Sequence, residues 1–250
     1  MKKTILFVIA AFFALSMNAQ RTFAVLTGVS NYEGEVNDLQ QSTKDVKHMS
    51  VLYKSKKAQV TTLTSAYATR ENVISTLQKI AKVANANDHI VFYYSGHGVP
   101  NSLCTYTTQG SPMLTYNELF NELDKCKAKD IVVYIDACHS GTAASAVKQK
   151  GNTDEKSWQT LIKANPRYIL FLSSRDSEVS IESPFVGAGF FTRALLKGLR
   201  GKSDTNSDRN VTVIELFQYI YKDVQLHSNK EQHPQLVTSK ALHNNVLMSW

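Results

Sequence analysis

Hydrophobic residues fall along this chain in a few dense runs separated by amphipathic stretches. "RTFAVLTGVS" (21–30) is apolar and β-branched and closes on a Gly-containing turn, which predicts a strand. "DHIVFYYSG" (88–96), "DIVVYIDA" (130–137) and "RYILFLSS" (167–174) are apolar without alternation, the mark of strands buried on both faces. "AQVTTLT" (58–64) reads as a shorter strand. Between these runs the period changes to that of a helix. Residues 37–53 carry Leu39, Val46, Met49 and Leu52 at helical spacing. Residues 69–84 carry Val73, Leu77, Ile80 and Ala84, with Thr69 as N-cap. Helices are also predicted over 115–126, 189–199 and 213–224. Strands alternating with helices predict a mainly parallel sheet with helices on both faces. Ligands of such sheets bind beyond the carboxyl ends of the strands.

The chain has 250 residues, 43% hydrophobic and 20% charged, which suits one globular domain over residues 21–250. Residues 1–20 stand apart. Lys2 and Lys3 precede an apolar run from Thr4 to Ser16, and small Ala19 precedes Gln20, the layout of a cleaved secretory signal peptide. The run is shorter than the ~20 residues of a membrane span. The expected protein is therefore exported, periplasmic or extracellular, with no membrane span. Lys2 and Lys3 carry two of the seven net positive charges. The other basic residues are scattered, as in 53–57 and 125–129, so they read as solvated faces and no nucleic-acid partner is expected. Of Cys104, Cys126 and Cys138, an odd count flags a free thiol; Cys104 and Cys126 read either as a pair or as two ordinary thiols. The pattern specifies no oligomeric state.

Two strands end alike. "FYYSGHG" (92–98) and "YIDACHSG" (134–141) each run from a buried strand into a small-residue turn that holds a reactive side chain. His97 and Cys138 form a candidate base–nucleophile dyad, because only a thiolate attacks and a nearby imidazole favours it. The backbone N–H groups of Gly98 and Cys138 are candidate donors to an oxyanion. A metal held by His97, Cys138 and His139 is disfavoured, since no further ligand lies at useful spacing.

These two blocks resemble the His and Cys blocks of the caspase and metacaspase cysteine peptidases, and the metacaspase pattern Asp-x-Cys-His-Ser-Gly most closely. The resemblance extends more weakly from 23–32 through 187–199. It implies a three-layer caspase-like α/β fold, with a mainly parallel central sheet of about six strands and helices on both faces. It also implies His97 as general base and Cys138 as nucleophile, with His139 in neither role, and peptide or protein substrates. No cofactor is required. The pocket for the residue before the cut is implied at Asp45, Ser95 and Asp136, and carboxylates there select Arg or Lys. Two plainer readings stay open: Asp45 as a solvated helix carboxylate, and Asp136 as a turn cap. Ser42 stands where metacaspases place a small Cys. Residues 99–113 contain no Asp or Glu, so the acidic calcium site of many metacaspases has no counterpart there.

The first reading is thus an exported cysteine endopeptidase cleaving after Arg or Lys. A catalytically silent caspase-like binding module is the alternative, and the intact dyad argues against it. Transpeptidase activity is a third. Residues 141–166 are small and polar, and Lys148, Lys150 and Lys156 make them an expected place for self-cleavage. Asp204, Asn206, Asp208 and Glu215 occupy positions 1, 3, 5 and 12 of an EF-hand-type loop, with Arg209 where glycine is usual. They read as a structural calcium site or as a polar loop leading into the helix at Ile214.

Overall fold

The structure is a computed structural model that describes residues 20–32, 38–107, 113–137, 165–174, 182–183 and 188–250. Cys138, His139, the signal-peptide stretch 1–19 and most of the expected self-cleavage stretch lie outside the described residues.

Six strands make one sheet: β1 (Thr22–Gly28), β2 (Gln59–Thr64), β3 (His89–Ser95), β4 (Asp130–Asp136), β5 (Tyr168–Leu172) and β6 (Gln235–Thr238), in the order β6-β5-β4-β3-β1-β2. Five are parallel; β6 runs antiparallel along β5. Among the described residues five helices cover the sheet: α1 (Ser42–Ser55), α2 (Arg70–Val83), α3 (Tyr116–Lys125), α4 (Phe190–Lys197) and α5 (Val213–His227). This is the expected three-layer arrangement.

Strand alternation divides the core in two. Ile90, Phe92 and Tyr94 of β3, with Ile131, Val133 and Ile135 of β4, pack beneath α2 and α3. Val91 and Tyr93, with Val132 and Tyr134, pack on the opposite face beneath α1, α4 and α5. Both faces of these strands are therefore apolar, which is why their runs do not alternate. Thr69 caps α2 by accepting from the Asn72 N–H, as expected. Thr115 and Glu118 close a capping box at the start of α3. Glu118 also pairs with Arg70 at the start of α2, so one carboxylate joins two helix ends. Arg70 first, then Thr115, holds the Glu118 carboxyl down at about 2.

Three details differ from the expectation. Helix α1 begins at Ser42, because Leu39 belongs to the incoming chain and its N–H bonds the Ser30 carbonyl. Strand β6 was not predicted: four residues of mixed polarity at a sheet edge carry little periodic signal. After His97 the chain forms a three-stranded antiparallel ribbon from Gly98–Val99, Ser102–Leu103 and Leu114–Thr115.

Candidate active site

Parallel pairing of β3 with β4 sets Ser95 opposite Asp136 at the carboxyl end of the sheet. The ladder continues one step further, with the Gly96 N–H on the Asp136 carbonyl at 3.1 Å. His97 follows directly. Its backbone N–H donates to the Tyr32 hydroxyl at 2.7 Å, and the Tyr32 and His97 rings lie 4.6 Å apart between centroids. Its carbonyl accepts from the Cys104 N–H at 2.9 Å. In an antiparallel ribbon the hydrogen bonds come at alternate residue pairs. That bond makes Gly98–Leu103 a non-hydrogen-bonded pair, so the Gly98 N–H points away from its ribbon partner.

On the other strand Ala137 is the last described residue before Cys138. The Ser173 hydroxyl accepts from the Ala137 N–H at 3.2 Å and donates to the Ala137 carbonyl at 3.0 Å. Ser173 is itself fixed: its N–H bonds the Ile135 carbonyl, and its carbonyl accepts from Gln232 Nε2 at 2.8 Å. The approach to Cys138 is thereby clamped at both main-chain groups of Ala137.

Asp45, Ser95 and Asp136 converge on the α1–α4 face. All three are buried, at 1%, 4% and 7% exposure, so Asp45 is not a solvated helix carboxylate. The Ser95 hydroxyl donates to Asp45 Oδ2 at 3.2 Å. Asp136 Oδ2 accepts from the Thr192 N–H at 3.1 Å and from the Thr192 hydroxyl at 2.7 Å. Thr192 is the third residue of α4, so Asp136 caps a helix N-terminus, whose partial positive charge favours the carboxylate. Asp136 thus caps a helix that begins more than 50 residues on in the chain, where the sequence suggested a turn cap. Gly189 makes room for it, since a Cβ there would lie 2.9 Å from Asp136 Oδ2.

The Tyr93 hydroxyl lies 2.7 Å from Thr192 Oγ1. Thr192 spends its one hydroxyl proton on Asp136, so Tyr93 donates to Thr192. Burial pushes the Tyr93 phenol well above its ordinary value, and the charges of Asp45 and then Asp136 push it further. Both carboxylates therefore act on one buried point. Tyr32, Tyr93, Ser173 and Thr192 had no sequence signal, because each reads as a core or helix residue and acts through a partner remote in the chain.

The remaining candidates lie elsewhere. In the 204–215 loop the Asp204 carboxylate accepts from the Asp208 and Arg209 N–H groups, and Asn206 Oδ1 from the Asp208 N–H. Glu215, expected at position 12, closes a capping box with Thr212 and accepts from Thr205. Burial opposes its charge, but these bonds outweigh burial and hold its carboxyl low. Among the described residues no group of three or more His, Cys, Asp or Glu is arranged to hold a metal ion. Cys126 is not bonded to Cys104: its thiol is buried and contacts the Leu77 and Glu122 carbonyls, and burial pushes it up to about 11. No helix among the described residues is long and apolar enough to cross a membrane.

Metacaspase-1 of Scheffersomyces stipitis is 31% identical over 160 residues, 52% of this chain. The match spans only 38% of that relative's own length. Caspase-1 of Spodoptera frugiperda superposes with a TM-score of 0.65 at 16% identity, over 92% of this chain and 89% of that one. The Geobacter sulfurreducens protein GSU0716 does so with a TM-score of 0.63 at 18% identity, over 92% and 98%. Those two likenesses are of fold. The sequence itself matches the Caspase domain from residue 21 to residue 246, nearly the whole described chain, and the protein belongs to the caspase-domain family.

Proposed function

We propose that this protein is an exported cysteine endopeptidase that cleaves peptide bonds after Arg or Lys. One observation carries the specificity: two buried carboxylates, Asp45 and Asp136, meet around Ser95 and Tyr93 beside the His97 turn. A substrate guanidinium or ammonium entering there meets fixed negative charge in a site of low dielectric, where charge pairing is strong. The chemistry is assigned to His97 and Cys138. Counting two residues on from the register pair Ser95–Asp136 reaches His97 on one strand and Cys138 on the other. The imidazole takes the thiol proton, and the thiolate attacks the scissile carbonyl. The Gly98 and Cys138 N–H groups stabilise the oxyanion, a contribution of ~3 kcal/mol or more. The leaving amine takes a proton from the imidazolium, and water then hydrolyses the thioacyl-enzyme.

Export rests on residues 1–20, and self-processing on the lysines of 141–166. Any calcium bound by this chain is assigned to the 204–215 loop, in a structural role away from the chemistry. The test is turnover of peptides carrying Arg, Lys, Asp or Asn before a reporter group. Cleavage after Arg and Lys supports the reading. Faster cleavage after Asp or Asn refutes the pocket assignment.

A further inference from the structure

His97 lies beyond the last residue of β3, and backbone pairing reaches only its carbonyl, through the Cys104 N–H. Its main chain is nevertheless gripped at both ends by phenols. Tyr32 accepts from the His97 N–H at 2.7 Å. The Tyr94 hydroxyl lies 2.8 Å from the His97 carbonyl and 2.7 Å from the Cys104 carbonyl. Both hydroxyl oxygens also lie against Gly96.

Counting protons gives this group a direction. A phenol has one proton to donate. A carbonyl has none, so the Tyr94 proton goes to the carbonyls of His97 and Cys104, while the Tyr32 oxygen accepts from the His97 N–H. One phenol therefore accepts from the His97 main chain and the other donates to it. Such bonds are stronger in a low-dielectric site than in water. Burial pushes the Tyr94 phenol well above its ordinary value, with Tyr32 adding to it, so the proton stays in place at working pH. Gly96 makes the arrangement sterically open: a Cβ there would lie 2.5 Å from the Tyr94 oxygen and 2.7 Å from that of Tyr32. Tyr32 does a second thing, since its ring packs against the imidazole at an interplanar angle of 47°.

We propose that Tyr32 and Tyr94 form a two-phenol clamp that positions His97, fixing its backbone and the plane of its ring for proton transfer with Cys138. The clamp rests on the reading of His97 as general base. Misplacing a catalytic group by about 1 Å costs on the order of 100-fold in rate, so losing the clamp acts on turnover and leaves substrate binding alone.

The experiment compares wild type, Tyr32→Phe, Tyr94→Phe and His97→Ala as full mature chains. Three quantities are read: kcat and KM on an Arg reporter peptide, the melting temperature, and the pH dependence of Cys138 alkylation by iodoacetamide, resolved by peptide mass spectrometry. Tyr32→Phe is expected to lower kcat by about 10- to 100-fold, with KM little changed and the alkylation midpoint moved to higher pH. Tyr32→Leu, which also loses the ring, falls further. Tyr94 is deeply buried, and should its Phe variant fail to fold, Tyr32→Phe carries the test alone. Wild-type kcat and an unmoved alkylation curve in Tyr32→Phe overturn the clamp. So does a loss of activity that merely tracks melting temperature with the alkylation curve unmoved. If His97→Ala keeps wild-type turnover, the base assignment fails and the clamp with it. If His97→Ala is inactive and Tyr32→Phe behaves as wild type, only the clamp fails.

Discussion

Asp136→Asn separates the charge of the pocket from its shape. The two side chains are nearly isosteric, so the substitution removes a negative charge and leaves the volume filled. On the folding side, Asp136 Oδ2 accepts two hydrogen bonds from Thr192 at the start of α4. The Asn oxygen accepts the same two when the amide faces α4. What is lost is the attraction between charge and helix terminus, about 0.5–1 kcal/mol. The variant should fold and melt a few degrees lower. On the substrate side the loss is larger. A desolvated cation deprived of its charged partner loses about 2 kcal/mol or more, roughly 30-fold in kcat/KM. Asp45 remains, so the preference for a cation weakens and does not vanish. The assay compares two peptides that differ only in Arg or citrulline before the reporter. Citrulline keeps the shape of Arg without the charge. Wild type should favour Arg strongly, and Asp136→Asn should compress that ratio by about 30-fold, mostly by slowing cleavage after Arg. An unchanged Arg-to-citrulline ratio in a folded variant would show that Asp136 serves α4 alone.

Two further predictions concern stability. The Glu118 carboxyl is held at about 2, below its ordinary 4.5, chiefly by Arg70. A lowered folded-state pKa gives stability that is present above pH 4.5 and is lost as pH falls through about 2. Its side chain is 33% exposed, so solvent screening reduces the effect to about 1 kcal/mol. Glu118→Gln should therefore melt lower than wild type at neutral pH and converge with it in acid; a gap that persists undiminished at pH near 2 contradicts this. Asp204 accepts two backbone N–H groups, one from Arg209, whose φ is +65°. Asp204→Ala should cost about 1 kcal/mol in chelator, from the two hydrogen bonds alone. Melting curves in millimolar calcium and in chelator test the loop as a cation site. A calcium-dependent rise seen in wild type and lost in Asp204→Ala supports it, and an unmoved wild-type midpoint refutes it.

The parallel core was legible because its strands are buried on both faces, so their apolar runs are continuous and bounded by turns. Thr69 was legible as a cap because it stands directly before a helical period. Edge strand β6 was not, since one face and one edge of so short a segment leave no period to detect. The helix period set Asp45 between Lys44 and Val46 and left it open whether its carboxylate faced solvent or the sheet. It held no sign that Ser95, 50 residues on, waits beneath it. The same distance problem hid Thr192, 56 residues from the carboxylate it binds. Tyr32 and Tyr94 were hidden differently. In a core strand and its loop, tyrosines read as packing, and only the placement of their oxygens around Gly96 reveals a polar task. Sequence thus indicates which residues carry reactive groups more readily than which residues hold those groups still.

A His97–Cys138 peptidase with a carboxylate pocket is tested most directly by turnover of one Arg reporter peptide by purified mature wild type, Cys138→Ala and His97→Ala, each checked for a cooperative melt. Wild type should cleave, and both variants should lose nearly all activity with the fold intact, because members of a catalytic unit do not act additively. Wild-type-like turnover in either folded variant, or a wild type that cleaves after Asp faster than after Arg, would contradict it.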